Sequence, residues 1–219
     1  MTPDYQKAAI KATETLIKFR INSAPVSPLP ILKGMPGVLV FSYQSISNHV
    51  DQDRRCVMSM FGDGNQDAFT TVNIKDGKPQ YIVTYNQQLS QVFVQRSLAR
   101  ELGHIILGHD GTLPEDVRNE EARTFANHLL VPRALIHSLQ AANIRITTEM
   151  LGNLTGCFEY CLSCMRRIPP VIVPAELNQL IRDQFMDYIL NYISFYHTAS
   201  NYDNSAVADF GAYMDGYEE

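Results

Sequence analysis

The stretch Leu98-Ala99-Arg100-Glu101-Leu102-Gly103-His104-Ile105-Ile106-Leu107-Gly108-His109 decides how this chain is read. At about 100° per residue, Ser97, Arg100, Glu101 and His104 share one face of a helix, while Leu98, Ala99, Leu102, Ile105 and Ile106 fall on the other. An acid and a histidine therefore ride on a helix whose remaining surface belongs in a core. The helical period runs from Gln87 to Leu107. Gly108 suits its C-terminal cap, because a residue without Cβ enters the left-handed region freely.

Glu101 and His104 carry the spacing of the zinc-peptidase helix H-E-x-x-H, with Arg100 in the place of the first histidine. Residues four apart lie on one helical face, so two imidazoles in that motif can grip one Zn²⁺. The glutamate after the first histidine then overlooks the metal-bound water and takes its proton. An R-E-x-x-H string alone is also compatible with an ordinary surface helix.

The next helix is expected over 117–130 and ends at Pro132. It reads Asn119-Glu120-Glu121-Ala122-Arg123-Thr124-Phe125-Ala126-Asn127-His128-Leu129-Leu130. Ala122, Phe125, Ala126 and Leu129 define its buried stripe. Glu121 borders that stripe and Glu120 points roughly opposite, which makes Glu121 the ligand-type residue and Glu120 the fallback.

Ser97-Leu98-Ala99-x-Glu101-Leu102-Gly103-His104, followed by Glu121-Ala122-x-x-Phe125-Ala126-x-x-Leu129-Leu130-x-Pro132, resembles the ImmA/IrrE family of zinc metallopeptidases. The resemblance is firm over roughly 80–140 and extends over 1–165. It implies a compact zincin-like domain in a bacterial or phage cytoplasm, often encoded on a mobile element. Family members cleave or otherwise inactivate a helix-turn-helix repressor. Carried over by position, Glu101 is the general base, and His104 and Glu121 are metal ligands.

Arg100 departs from this pattern. A guanidinium has no lone pair to offer and stays protonated, so zinc binding is expected to be weak. Three readings stay open. Arg100 can pair with Glu101 or Glu121 where the metal stood. Alternatively, another histidine completes the site: His109 by chain reversal at Gly108, or His128, although both residue positions also suit surface or capping histidines. Finally, Arg100 can be a silencing change. The first is preferred, because a guanidinium relieves a carboxylate cluster left without its metal.

Outward from this centre, residues 4–20 read as an amphipathic helix with Ala8, Ala9, Leu16, Ile17 and Phe19 buried. Its end is set by the prolines of Ile21–Pro30. Val38–Phe41 is a short strand. Residues 68–74 and 80–85 flank Lys75-Asp76-Gly77-Lys78, and Asp-Gly between β-rich runs signals a hairpin. Residues 44–66 are expected to be mostly loop. Helices are expected over 133–141, 147–167 and, after Pro169-Pro170, 175–197. The fold class is α+β, with a zincin-like domain over 1–140, a helical extension over 141–198 and an acidic tail over 199–219.

The 219 residues carry a net charge of −5, and 45% are apolar. Those values fit a globular chain. Up to Arg182, 18 bases face 16 acids; beyond it lie seven acids and no base. Nothing there makes a basic footprint for nucleic acid. No apolar run reaches membrane-helix length, and the N-terminus lacks the apolar core of a secretion signal. With four cysteines, a reducing cytoplasm is the expected compartment. A protein, such as a helix-turn-helix repressor, is the expected partner.

Cys157, Cys161 and Cys164 fall on one helical stripe, which suits packing better than a tetrahedral metal; Cys56 is isolated. Residues 147–167 faintly resemble a helix-turn-helix, yet Arg166 and Arg167 supply little charge for phosphate contacts. The apolar steps of 177–196 suit a core stripe or a docking surface.

Overall fold

A computed structural model describes residues 1–50, 67–156 and 171–199. The mixture of helices and one small sheet is the expected α+β architecture. Contacts divide the chain into two compact units. One comprises Met1–Val26 with Leu113–Glu219, and the other Ser27–Thr112. The segment 1–140 contributes to both. No helix among the described residues is long and apolar enough to cross a membrane.

The Ser27–Thr112 unit holds α2 (Pro28–Lys33), β1 (Val38–Ser42), α3 (Tyr43–Val50), β2 (Ala68–Lys75), β3 (Lys78–Tyr85) and α4 (Gln91–Leu107). The prolines expected to end the first helix lie beyond its last residue, Lys18, and instead open α2, since Pro28 occupies a first-turn position that needs no N–H. β2 and β3 form the expected hairpin. Asp76 and Gly77 both turn with positive φ, 51° and 72°, as a tight hairpin turn requires. The strand order is β1-β3-β2, with β1 parallel and β2 antiparallel to β3. Val38, Ala68 and Val83 are buried, and register places Thr70 opposite Val83. α4 packs on β2 and β3.

The expected loop from residue 44 is corrected over its described part. Tyr43–Val50 is helical, and its polar composition hides a buried i, i+4 pair, Tyr43 and Ser47. Residues 51–66 lie outside the described residues.

The other unit is helical: α1 (Tyr5–Lys18), α5 (Glu115–Leu130), α6 (Arg133–Ala141), α7 (Thr148–Thr155), α8 (Ala175–Gln184) and α9 (Met186–Ala199). Asp4 caps α1, its Oδ1 accepting from the Lys7 N–H at 2.8 Å. The buried row is Ala8, Ala12 and Leu16, with Ala9, Thr13 and Thr15 beside it. Ile17 and Phe19 are only half-buried. The helix ends at Lys18, so Phe19 leaves the stripe on which the sequence placed it. α1 packs against α5 and α8, and α8 against α6.

The single final helix expected over 175–197 is two. Phe185 separates them, fully buried, with its N–H on the Ile181 carbonyl. Just before it, Gln184 Nε2 donates to the carbonyls of Leu16, at 2.9 Å, and Ile21, caring for the open end of α1.

Candidate functional site

α4 presents Arg100 and Glu101 side by side and His104 one turn further on. Its apolar side, Leu98, Ala99 and Leu102, is fully buried. Part of the polar side is buried too: Ser97 is 8% exposed and Glu101 5%. A buried carboxylate needs a donor, and β2 supplies one. Thr70 Oγ1 donates to Glu101 Oε2 at 2.8 Å. Burial raises the Glu101 pKa above the ordinary carboxylate value; the Thr70 hydrogen bond and the Arg100 charge pull it part of the way back.

Arg100 Nη2 stands 3.9 Å from Glu101 Oε1. That is a long ion pair rather than a forked hydrogen bond. With the Arg100 side chain 40% exposed, solvent screens it to under about 1 kcal/mol. The Arg100 Nε is buried without a hydrogen-bond partner among the described residues.

Tyr43 belongs to the same neighbourhood. It is 2% exposed and stacks on Phe69, ring centroids 6.1 Å apart. Its pKa is pushed up to about 12 by burial, then by the negative charges of Asp67 and Glu101. Neither Tyr43 nor Thr70 was found from the sequence. The parity of β2, which puts Thr70 on the face of Ala68, was the one signal for Thr70.

At the end of α4, Gly108 takes a left-handed φ of 71° and the His109 N–H returns to the His104 carbonyl at 3.1 Å. This reversal brings the rings together. His104 Nδ1 and His109 Nδ1 are 2.8 Å apart, and the rings meet edge to face with centroids 5.0 Å apart. His109 is therefore more than a surface histidine.

Glu121 lies on α5, in the helical unit. It is 5% exposed, and its Oε1 accepts from the Asp4 N–H at 2.8 Å. Glu120 points outward, half-buried, and pairs with Arg123 at 2.5 Å. His128 is buried, not a surface residue; desolvation and the Arg133 charge lower its pKa to about 3. It lines a cavity of about 10 Å³ with Thr13, Leu16, Arg133, Asn178 and Ile181, room for one water.

The faint helix-turn-helix begins with α7, capped by Thr147 and ended by left-handed Gly156. Leu151 and Leu154 are buried. Residues 157–167, with Cys157, Cys161, Cys164, Arg166 and Arg167, lie outside the described residues, as do Cys56 and the acidic tail over 200–219.

The family's three-ligand zinc does not fit the donors found here. Arg100 brings a cation with no lone pair to offer to the first ligand position. Among the described residues, no group of three or more His, Cys, Asp or Glu side chains is placed to hold a metal ion.

Residues 57–159 match the family model described as the IrrE N-terminal-like domain. No curated protein and no solved structure matches the chain.

Proposed function

This chain belongs, through residues 57–159, to the IrrE N-terminal-like family, and from that premise we propose that it is a metallopeptidase-type protein acting on a cytoplasmic helix-turn-helix repressor, with zinc catalysis impaired or lost at Arg100. The observation that carries the reading is Arg100 Nη2 at 3.9 Å from Glu101 Oε1. The carboxylate that would act as general base is retained, buried and held by Thr70. A base benefits from a pKa raised toward neutrality, and burial raises that of Glu101. A fixed positive charge beside it opposes a divalent cation and supplies no ligand electrons. In this family zinc would supply activation of the attacking water, and the resemblance carries His104 and Glu121 over as its ligand-type residues.

The same ion pair favours a second reading, a non-catalytic relative that binds its partner protein without cutting it. In both readings the protein works in the cytoplasm and regulates transcription through the repressor, in the manner of mobile-element members of the family.

The test is metal analysis of the purified protein beside Arg100→His, each incubated with a candidate repressor. The unaltered chain is expected to hold well under one zinc per molecule and to leave the repressor whole. Arg100→His is expected to take up about one zinc and to cleave, and Glu101→Gln on top of it abolishes cleavage. Stoichiometric zinc and Glu101-dependent cleavage in the unaltered chain would overturn the proposal. Capture of an intact repressor without cleavage, by both forms, favours the second reading.

A further inference from the structure

We propose that His104 and His109 form a metal chelate of their own, suited to a divalent ion with right-angled ligand positions, Cu²⁺ or Ni²⁺, more than to tetrahedral Zn²⁺. The two Nδ1 atoms are 2.8 Å apart. Two imidazole nitrogens at about 2.0–2.1 Å from one ion are about 2.9 Å apart at a right angle and about 3.3 Å apart at the tetrahedral angle. The observed 2.8 Å, which without metal is an ordinary hydrogen-bond distance, is nearer the right-angled value than the tetrahedral one, and a right-angled set is the geometry copper and nickel prefer.

Without metal, a contact this short needs one proton between the nitrogens, since two lone pairs would repel and two N–H groups would clash. A metal ion takes the place of that proton. The ring that carried it at Nδ1 carries it at Nε2 instead, exchanged through solvent. Both Nδ1 lone pairs then face the ion, and the neutral pair releases no net proton.

The backbone favours a cation at this end of the helix. His104 lies in the last turn of α4, where the exposed carbonyls give the helix its negative pole. His109 is fixed just beyond by the left-handed Gly108 and its N–H on the His104 carbonyl. Arg100, the charge that opposes a metal at the family's first ligand position, is one turn back, about 6 Å of helix rise in the other direction. The pair thus makes a donor set displaced along the helix from the position Arg100 occupies. It draws on the geometry of two rings and not on peptidase descent.

The full chain, stripped of metal, is titrated separately with Cu²⁺, Ni²⁺ and Zn²⁺ by calorimetry, and the copper form is read by electron paramagnetic resonance. One copper per chain with coupling to two nitrogens is expected, with nickel held more tightly than zinc. His109→Ala and His109→Asn should each weaken copper binding roughly tenfold or more and remove one nitrogen from the spectrum. His49→Ala should change neither. Copper binding untouched in both His109 variants would overturn the proposal, as would zinc held more tightly than nickel or no binding of any of the three. The zinc expected in Arg100→His should survive His109→Ala, so failure here and failure of the repressor-peptidase reading are separate results.

Discussion

Thr70 on strand β2 and Glu101 in the middle of helix α4 are joined by a 2.8 Å hydrogen bond across 31 residues of chain. The bond ties the sheet to the helix at the one acid the helix buries. Removing the donor leaves the carboxylate desolvated with less compensation. Thr70→Val, which keeps the branched shape strands favour, is expected to cost about 1–3 kcal/mol. Urea denaturation checks it: the midpoint falls and the slope stays the same. An unchanged midpoint would mean the bond contributes nothing net.

His128 gives the fold an acid sensitivity of known sign. Its pKa is about 3 in the folded chain against 6.5 for the free side chain. Between those values the unfolded chain binds the extra proton, so stability falls as pH drops below 6.5, by up to about 1.4 kcal/mol per pH unit from this residue. His128→Gln should flatten the profile between pH 6.5 and 4.5. Stability curves of the two proteins that run parallel over that range would contradict the assignment.

The adjacent glutamates Glu120 and Glu121 should behave differently. Glu121→Ala strips the Asp4 N–H of its acceptor and opens a buried space beside α1, at a cost of about 1–3 kcal/mol. Glu120→Ala removes a surface pair with Arg123, worth about 0.2–1 kcal/mol. Thermal melts of the two single variants decide it. Equal shifts would mean that the buried bond adds little.

Gly108 tests backbone conformation in isolation. A Cβ there meets no atom within 4 Å, so any cost of Gly108→Ala comes from its φ of 71° alone, about 1–2 kcal/mol. Gly108→Asn should lose less, because asparagine tolerates that region. Chemical denaturation of the pair should rank them in this order.

What the sequence disclosed follows the range of the interactions involved. The hairpin, the end of α4 with its glycine cap, and the stripe of α5 depend on local period and turn chemistry, and these are found where expected, while α4 opens at Gln91 after a turn rather than at Gln87. α3 was missed because Tyr43 and Ser47 are buried by packing that a polar stretch does not advertise. The break at Phe185 was missed because apolar residues at three- and four-residue steps read alike through one helix or two; burial of the ring and the contact of Gln184 with the end of α1 set the division. Within the site, Glu101, His104 and Arg100 were legible as a spacing. Thr70, Tyr43 and the Glu121–Asp4 bond were not, because each depends on chain segments far apart. His109 was suspected only through the reversal at Gly108, and no sequence pattern gives the distance between two rings.

The Asp4–Glu121 bond also makes the first residues of the chain part of the interior's chemistry. Trimming Met1 to Asp4, as is often done to tidy a flexible-looking start, takes away the cap of α1 and the donor on which a buried acid leans. Such a shortened protein would answer questions about a different carboxylate, so comparisons of Glu121 variants belong in a chain whose start is left intact.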